Sequence, residues 1–513
     1  MPAPVSVAGI WFPTFNKTMK ELIKIHSRDN VVIALRNFTK GEVIEVDGKS
    51  IELLNDVERG HKIALTDIAE GADILKYGYP IGKATAAIKA GEHVHVQNVK
   101  TKLGEVFDYS YNPQLHELAH PQRNLTFNGY RRKNGEVGIR NEIWIVPTVG
   151  CVNGIAEQII REFKAEENPD DIEGIEVFKH SYGCSQLGDD HQNTRTILSD
   201  IALHPNAGGV LVLGLGCENN KIDEFEASLG DYDKSRIKFL SSQSAQNEVE
   251  DAKALLKEIY EEVRKDKREP IPVSELKVGL KCGGSDGLSG ITANPLVGYF
   301  SDFLISQGGT TILTEVPEMF GAETILMDRC VNEQVFDKTV HLINDFKQYF
   351  IDLKQPIYEN PSPGNKAGGI STLEDKSLGC TQKGGIANVV DVLKYGERLK
   401  EKGLNLLSAP GNDLVATTAL GASGCHIVLF TTGRGTPFGS FIPTLKIATN
   451  SELATKKSHW IDYNAGPLAE DQTFDEALEQ FIDKIIRVAN GEKAHHEKNG
   501  FREIAIFKTG VTL

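Results

Sequence analysis

Short apolar runs separated by amphipathic stretches set the frame of the chain. Three runs, Ile143-Trp144-Ile145-Val146, Ile175-Glu176-Val177-Phe178 and Val210-Leu211-Val212-Leu213, each lead to a Gly-Cys turn. The turns are Gly150-Cys151, Gly183-Cys184 and Gly216-Cys217, so the cysteines recur twice at a spacing of 33 residues. Helix-like stretches, Ile155 to Lys164 and Asn193 to Leu203, lie between them. Strand, turn and helix in this order predict βαβ units on a parallel sheet. Ligands of such sheets gather at the carboxyl ends of the strands, where the thiols fall.

Before this region the pattern is different. Residues 19–100 hold short runs such as Leu22-Ile23-Lys24-Ile25 and Val31-Val32-Ile33-Ala34-Leu35, broken by Gly and Asp turns with almost no helical period. They predict a small all-β module. Residues 1–18 read as an extension, and the proline-containing polar stretch 101–125 as a linker. Two α/β domains with mainly parallel sheets are expected over 126–395 and 396–513. Within them, Gln246 to Lys265 and Phe474 to Val488 carry apolar residues at helical spacing.

Composition narrows the function. The 513 residues carry a net charge of -15, which argues against nucleic acid or an anionic membrane as partner but admits an anionic small molecule in a local basic pocket. Seven scattered cysteines, no CxxC pair and no long apolar run predict a reduced, cytoplasmic protein.

Several loops carry chemistry. Cys282-Gly283-Gly284-Ser285-Asp286 follows a strand and precedes a helix, without a Walker or dinucleotide pattern. Its backbone suits a carboxylate or hydroxyl-rich ligand better than a nucleotide. Glu315 and Glu318 lie just past another strand, as paired acids suited to a cation or to proton transfer. Arg434, between glycines at a strand end, is placed to clamp a carboxylate. In the β module, His26 stands near Asp29, and His93 and His95 share one face of a strand, where they could chelate a metal or simply line the surface.

Gly150-Cys151-Val152-Asn153-Gly154, Tyr182-Gly183-Cys184-Ser185-Gln186-Leu187-Gly188-Asp189-Asp190-His191, Gly216-Cys217-Glu218-Asn219, Cys282-Gly283-Gly284-Ser285-Asp286, Asn360-Pro361-Ser362-Pro363-Gly364-Asn365-Lys366 and Thr432-Gly433-Arg434-Gly435-Thr436-Pro437 together resemble the altronate/galactarate dehydratase family. The resemblance runs from residue 19 to 513. It implies that the β module is a SAF (β-clip) domain, and that the reaction is loss of water from a sugar acid such as D-altronate or galactarate. It also implies Fe²⁺ as cofactor, with Mn²⁺ as its substitute. An iron–sulfur cluster at converging Gly-Cys turns is the alternative cofactor, and a non-catalytic sugar-acid sensor the alternative function. On this reading His26 is base or acid, oriented by Asp29, with His61 as its partner. Lys366, Asn365, Arg434, Ser285 and Asp286 hold the substrate, and the metal shell draws on Cys184, Cys217, Cys282 or Glu315. A homodimer is the expected assembly.

Overall fold

The computed structural model describes residues 21–104 and 106–513, so the extension expected over 1–18 lies outside the described residues. The β module forms a four-stranded antiparallel sheet in the order Leu22–Ile23, Val31–Ala34, Lys62–Ala64, His93–Val94. A second sheet joins Asp73–Lys76, Tyr79–Ala84 and Val99–Lys100, and Val43–Val46 pairs with Lys49–Glu52. Two-residue turns set these registers: Asp47-Gly48 and Tyr77-Gly78 both have positive φ at each residue, the geometry that matches the strands' twist.

The Gly-Cys region forms a four-stranded parallel sheet in the order Ile175–Val177, Glu142–Pro147, Ala207–Gly214, Ile237–Ser241. Its helices include Asn153–Glu167, Gly188–Ala202 and Glu248–Val263. The last parallel unit is a seven-stranded sheet, in the order Val389–Leu393, Leu404–Leu407, Thr310–Leu313, Lys277–Cys282, Ile427–Thr432, Thr444–Ala448, Tyr463–Asn464. Its inner strand Ile427–Thr432, next to the central one, is buried along its whole length, as expected when helices cover both faces.

The expected fold class stands: a strand-rich SAF region followed by parallel sheets with helices. The division expected at residue 395/396 does not. Strands 389–393 and 404–407 are hydrogen-bonded neighbours in one sheet, and the break between the two parallel sheets lies between Ser241 and Lys277. Apolar runs mark strands but not which sheet each joins. The stretch 101–125 is also more than a linker. Its described residues run without helix or strand along the last domain, pinned by Tyr109 to Glu323 at 2.6 Å and by the His116 N–H to Asn388 at 3.0 Å.

The β module docks onto the seven-stranded unit through polar contacts and close backbone approach. Lys62 and Lys76 both reach Asp375 at 2.9 Å, Thr372 donates to the Ile81 carbonyl, and the Lys102 N–H donates to Glu374 at 2.6 Å. Gly287 is pressed so closely on the module that a Cβ there would lie 2.0 Å from the Gly60 carbonyl oxygen. Since the obstacle is backbone, Gly287→Ala is expected to cost about 1–3 kcal/mol or more and to loosen this junction. Faster proteolysis within residues 101–125, against an unchanged far-ultraviolet spectrum, is the measurement that checks it.

Candidate active site

The seam between the β module and the seven-stranded sheet borders a buried group of thiols, carboxylates and ammonium groups. Strand Lys277–Cys282 delivers Cys282 at its carboxyl end, and the neighbouring strand Thr310–Leu313 runs on into Glu315 and Glu318. Helix Leu373–Cys380 brings Lys376 and Cys380, and the short 3₁₀ turn Thr381–Gly384 brings Lys383. The Cys282 and Cys380 sulfurs are 3.3 Å apart, and Glu318 Oε2 lies 3.0 and 3.3 Å from them. Lys383 Nζ donates to Cys282 Sγ at 3.0 Å, and Lys376 Nζ to Glu318 Oε1 at 2.7 Å. Glu315 accepts from the Cys282 N–H at 2.8 Å and faces Lys281 at 3.0 Å. It is held at φ 70°, in the left-handed region, which a non-glycine residue adopts at some cost.

The electrostatics follow from burial and mutual contact. The hydrogen bond from Cys380 lowers the Cys282 pKa to about 6. Burial and Glu318 oppose this, and Lys383 and Lys376 support it. The same hydrogen bond, together with burial, pushes Cys380 well above the usual thiol range. Burial alone would raise Glu318, but Lys376 and Lys383 outweigh it and keep that carboxyl at about 2. One thiol is therefore poised as thiolate near neutral pH while its neighbour keeps its proton. Perturbed groups converging on a cavity mark a functional site.

That cavity, of about 610 Å³, is lined by Cys282, Glu318, Lys376, Asn360, Asn365 and Lys366, with Asp413 on its rim. Lys366 and Asn365 thus line the cavity, and Asn365 also fixes the loop, accepting from Ser362 and donating to the Ser285 carbonyl at 2.8 Å. Ser285 is buried with a hydroxyl lacking a partner. Asp286 is not a free ligand group. Its carboxylate accepts from Ser289, Thr449, Asn450 and the Leu288 N–H, and so organises the loop. Arg434 is exposed and lines the adjoining cavity with Arg59, Lys456 and Lys457, touching the Gly364 carbonyl at 3.5 Å.

The expected catalytic trio is not assembled. Asp29 accepts from the backbone N–H groups of His26, Tyr77 and Gly78, which a short Asp side chain in a turn does readily, so it does not orient the His26 ring. That ring instead accepts from the Arg28 N–H and packs on Gly78. His61 pairs with His93 and His95 rather than with His26. The expected metal shell is not assembled either. Cys184 and Cys217, like Cys151, are exposed past the carboxyl ends of strands in the four-stranded sheet, whereas Cys282 and Glu315 are buried at the strand ends of the other. Among the described residues, the thiol-containing group close enough to hold one ion is Cys282, Glu318 and Cys380.

The chain matches, over residues 20–102, the altronate/galactarate dehydratase SAF domain; over 129–264, the D-galactarate dehydratase/altronate hydrolase second domain; and over 273–512, the D-galactarate/altronate dehydratase C-terminal domain. It is 64% identical to the altronate dehydratase of Bacillus subtilis (strain 168), over 96% of this chain and 100% of that one. The chain belongs to the altronate/galactarate dehydratase family. Its likeness to the altronate dehydratase of Escherichia coli (strain K12) is 60%, over 96% of this chain and all of the relative. To the galactarate dehydratase (L-threo-forming) of the same organism it is 35%, over 92% and 93%.

Within this family framework, the residues that sequence reasoning passed over are Lys376, Lys383 and Cys380 as partners of Cys282. A signal was present. Gly379-Cys380 repeats the Gly-Cys theme, with Lys383 three positions on, and Glu318 is the second of two acids after a strand. What was missing was the parallel pairing and helix placement that bring residues 282, 318 and 380 together. Among the described residues, no helix is long and apolar enough to cross a membrane.

Proposed function

We propose that this protein is an altronate dehydratase, removing water from D-altronate to give 2-dehydro-3-deoxy-D-gluconate in a divalent-metal-dependent reaction of hexuronate breakdown. The observation that carries the reading is the end-to-end likeness to two altronate dehydratases. The galactarate-specific relative is much more distant.

The chemistry asks for a base at C2, charge stabilisation at the carboxylate, and departure of the C3 hydroxyl as water. Cys282, lowered to about 6, takes the C2 proton as thiolate, since a base works best with a pKa near the working pH. Lys383 holds that thiolate, and Cys380 keeps the neighbouring proton. Lys366 and Lys376 set positive charge against the substrate carboxylate, and Asn360 and Asn365 face its hydroxyls. Loss of hydroxide from C3, protonated to water, leaves an enol that tautomerises to the 2-keto acid. A bound Fe²⁺ or Mn²⁺ would supply Lewis-acid stabilisation of the carboxylate as negative charge develops. At the Cys282, Glu318 and Cys380 group such a cation would compete with Lys383 for Cys282 Sγ and with Lys376 for Glu318 Oε1, whereas Glu318 Oε2 and Cys380 Sγ take no ammonium group among the described hydrogen bonds.

Incubation of metal-loaded protein with D-altronate, beside galactarate and other aldonates, is expected to release 2-keto acid from D-altronate at the greatest kcat/KM. No keto acid from any of them would discard the reading. Lys366→Ala is expected to raise KM for D-altronate by about 10–100-fold, the loss of one charged hydrogen bond, with a smaller change in kcat. Steady-state kinetics on the variant checks this.

A further inference from the structure

A second cavity, of about 390 Å³, opens at the seam between the β module and the last domain, across the turn 364–369 from the substrate cavity. Arg59 lines it from the β module, Arg434 from the loop after strand Ile427–Thr432, and Lys456 and Lys457 from the end of helix Ser451–Lys456. That helix follows strand Thr444–Ala448, the parallel neighbour of Ile427–Thr432. Both segments therefore leave the carboxyl ends of strands, where ligands of parallel sheets gather.

The four cations lack carboxylate partners. None of them takes part in an ion pair among the described residues. Arg434 donates to the Gly364 carbonyl at 3.5 Å, and Lys457 lies over the Trp460 ring at 4.3 Å. Arg59 Nε is buried without a hydrogen-bond partner. A buried donor left unmet costs free energy unless a ligand answers it. Acids outnumber bases by 71 to 56 in this chain, so partners are not scarce. In the cavity at the start of strands Ala207–Gly214 and Ile237–Ser241 the basic wall is neutralised: Arg132 and Arg236 pair with Asp266, and Lys133 pairs with Asp233.

The cationic wall is also held in place. Asn450 donates to Asp286 and to the Gly433 carbonyl at 3.2 Å each, and its side chain caps helix Ser451–Lys456 by accepting from the Leu453 N–H at 2.8 Å. One side chain thus ties the Arg434 loop to the lysine helix. On the other side the Arg59 N–H donates to Asn37 at 2.9 Å, and the next residue, Gly60, presses on Gly287. Glu452 and Asp286 line the cavity too, so four cations face two carboxylates and two positive charges remain. A phosphate carries about −1.5 to −2 near pH 7 and balances them, whereas the single carboxylate of an aldonate does not. Two guanidinium forks match phosphate oxygens, and the volume falls at the small end of the roughly 300–1,000 Å³ of ligand pockets.

We infer that Arg59, Arg434, Lys456 and Lys457 form a binding site for a phosphate group, free or carried on a small monoester, separate from the cavity that holds the sugar acid. Arg434 then serves this anion rather than the substrate carboxylate.

The test is isothermal titration calorimetry on the full chain, in phosphate-free buffer at constant ionic strength, with inorganic phosphate and with glycerol 3-phosphate as probes. Saturable binding of one anion per chain is expected, with a Kd of about 1 mM or tighter for the better probe. The tighter of the two identifies the source, free phosphate or monoester. Arg59→Gln and the double variant Lys456→Ala/Lys457→Ala are each expected to weaken binding about 10-fold or more, while Lys366→Ala leaves it unchanged. The double variant, whose changes lie at the surface end of a helix, is expected to keep the wild-type KM for D-altronate. Circular dichroism establishes that the variants are folded, and the wild-type titration is decisive without them. Absence of saturable binding of either probe, loss of binding in Lys366→Ala with retention in the other variants, or displacement of phosphate by D-altronate at concentrations near its KM would each overturn the site. Failure of the functional reading shows separately, as no 2-keto acid from D-altronate in protein that binds phosphate.

Discussion

Replacing Cys282 by serine is expected to lower kcat for D-altronate by about 10²–10⁴-fold, the usual worth of a positioned base. The reason is local. Cys282 lines the cavity with its pKa lowered to about 6, while Glu318 is held far lower. The pH dependence has a definite sign. The thiolate is the active form, so kcat/KM for wild-type enzyme rises as pH climbs through about 6 and then levels off. Lys383→Met removes the ammonium 3.0 Å from the sulfur, so the rising limb should move to higher pH. A serine variant with near-normal kcat, or a Lys383 variant with an unmoved limb, would remove Cys282 from the role of base.

The second large effect concerns Asp375. Its carboxylate is fully buried and bridges Lys62 and Lys76, which are also buried, at 2.9 Å each. One carboxylate cannot balance two ammonium groups in a dry interior. Burial drives Lys62 below the usual lysine range, whereas for Lys76 the attraction of Asp375 outweighs burial and raises it. Burial would raise Asp375 too, but the two lysines hold it far below the ordinary carboxylate range. Asp375→Asn keeps the shape and removes the charge. It should destabilise the docking of the β module by about 3–5 kcal/mol, the cost of stranding a buried partner. Urea titration with proteolysis in the 101–125 strap as the readout tests this, and an unchanged midpoint would count against it. The pH sign is that of a depressed acid. The contribution is complete above the unfolded aspartate value of about 3.9 and disappears as pH falls below it towards the folded value.

How much was legible beforehand divides along a physical line. The Gly-Cys turns after apolar runs announced a parallel sheet, because the apolar period is a local property of the chain. The short runs between Gly and Asp announced the β module for the same reason. Lys366 and Asn365 were recognisable in the Asn360–Gly369 loop, and they do line the cavity. The pairing of His26 with Asp29 was inferred from nearness in sequence, and it fails because a carboxylate in a tight turn is claimed by the backbone N–H groups around it.

By itself, then, the sequence determined the elements, the two kinds of sheet and the loops rich in chemistry. It also determined the family, because long motifs in fixed order survive independently of any contact. The tertiary structure alone decided which reactive groups meet. Cys282 joins Cys380 and Lys383 from about a hundred residues away, and His61 meets His93 from 32 residues away across paired strands. Sheet order and strand register are set by the summed packing of the whole core. A thiol's or an imidazole's neighbours are therefore read only after the chain has folded.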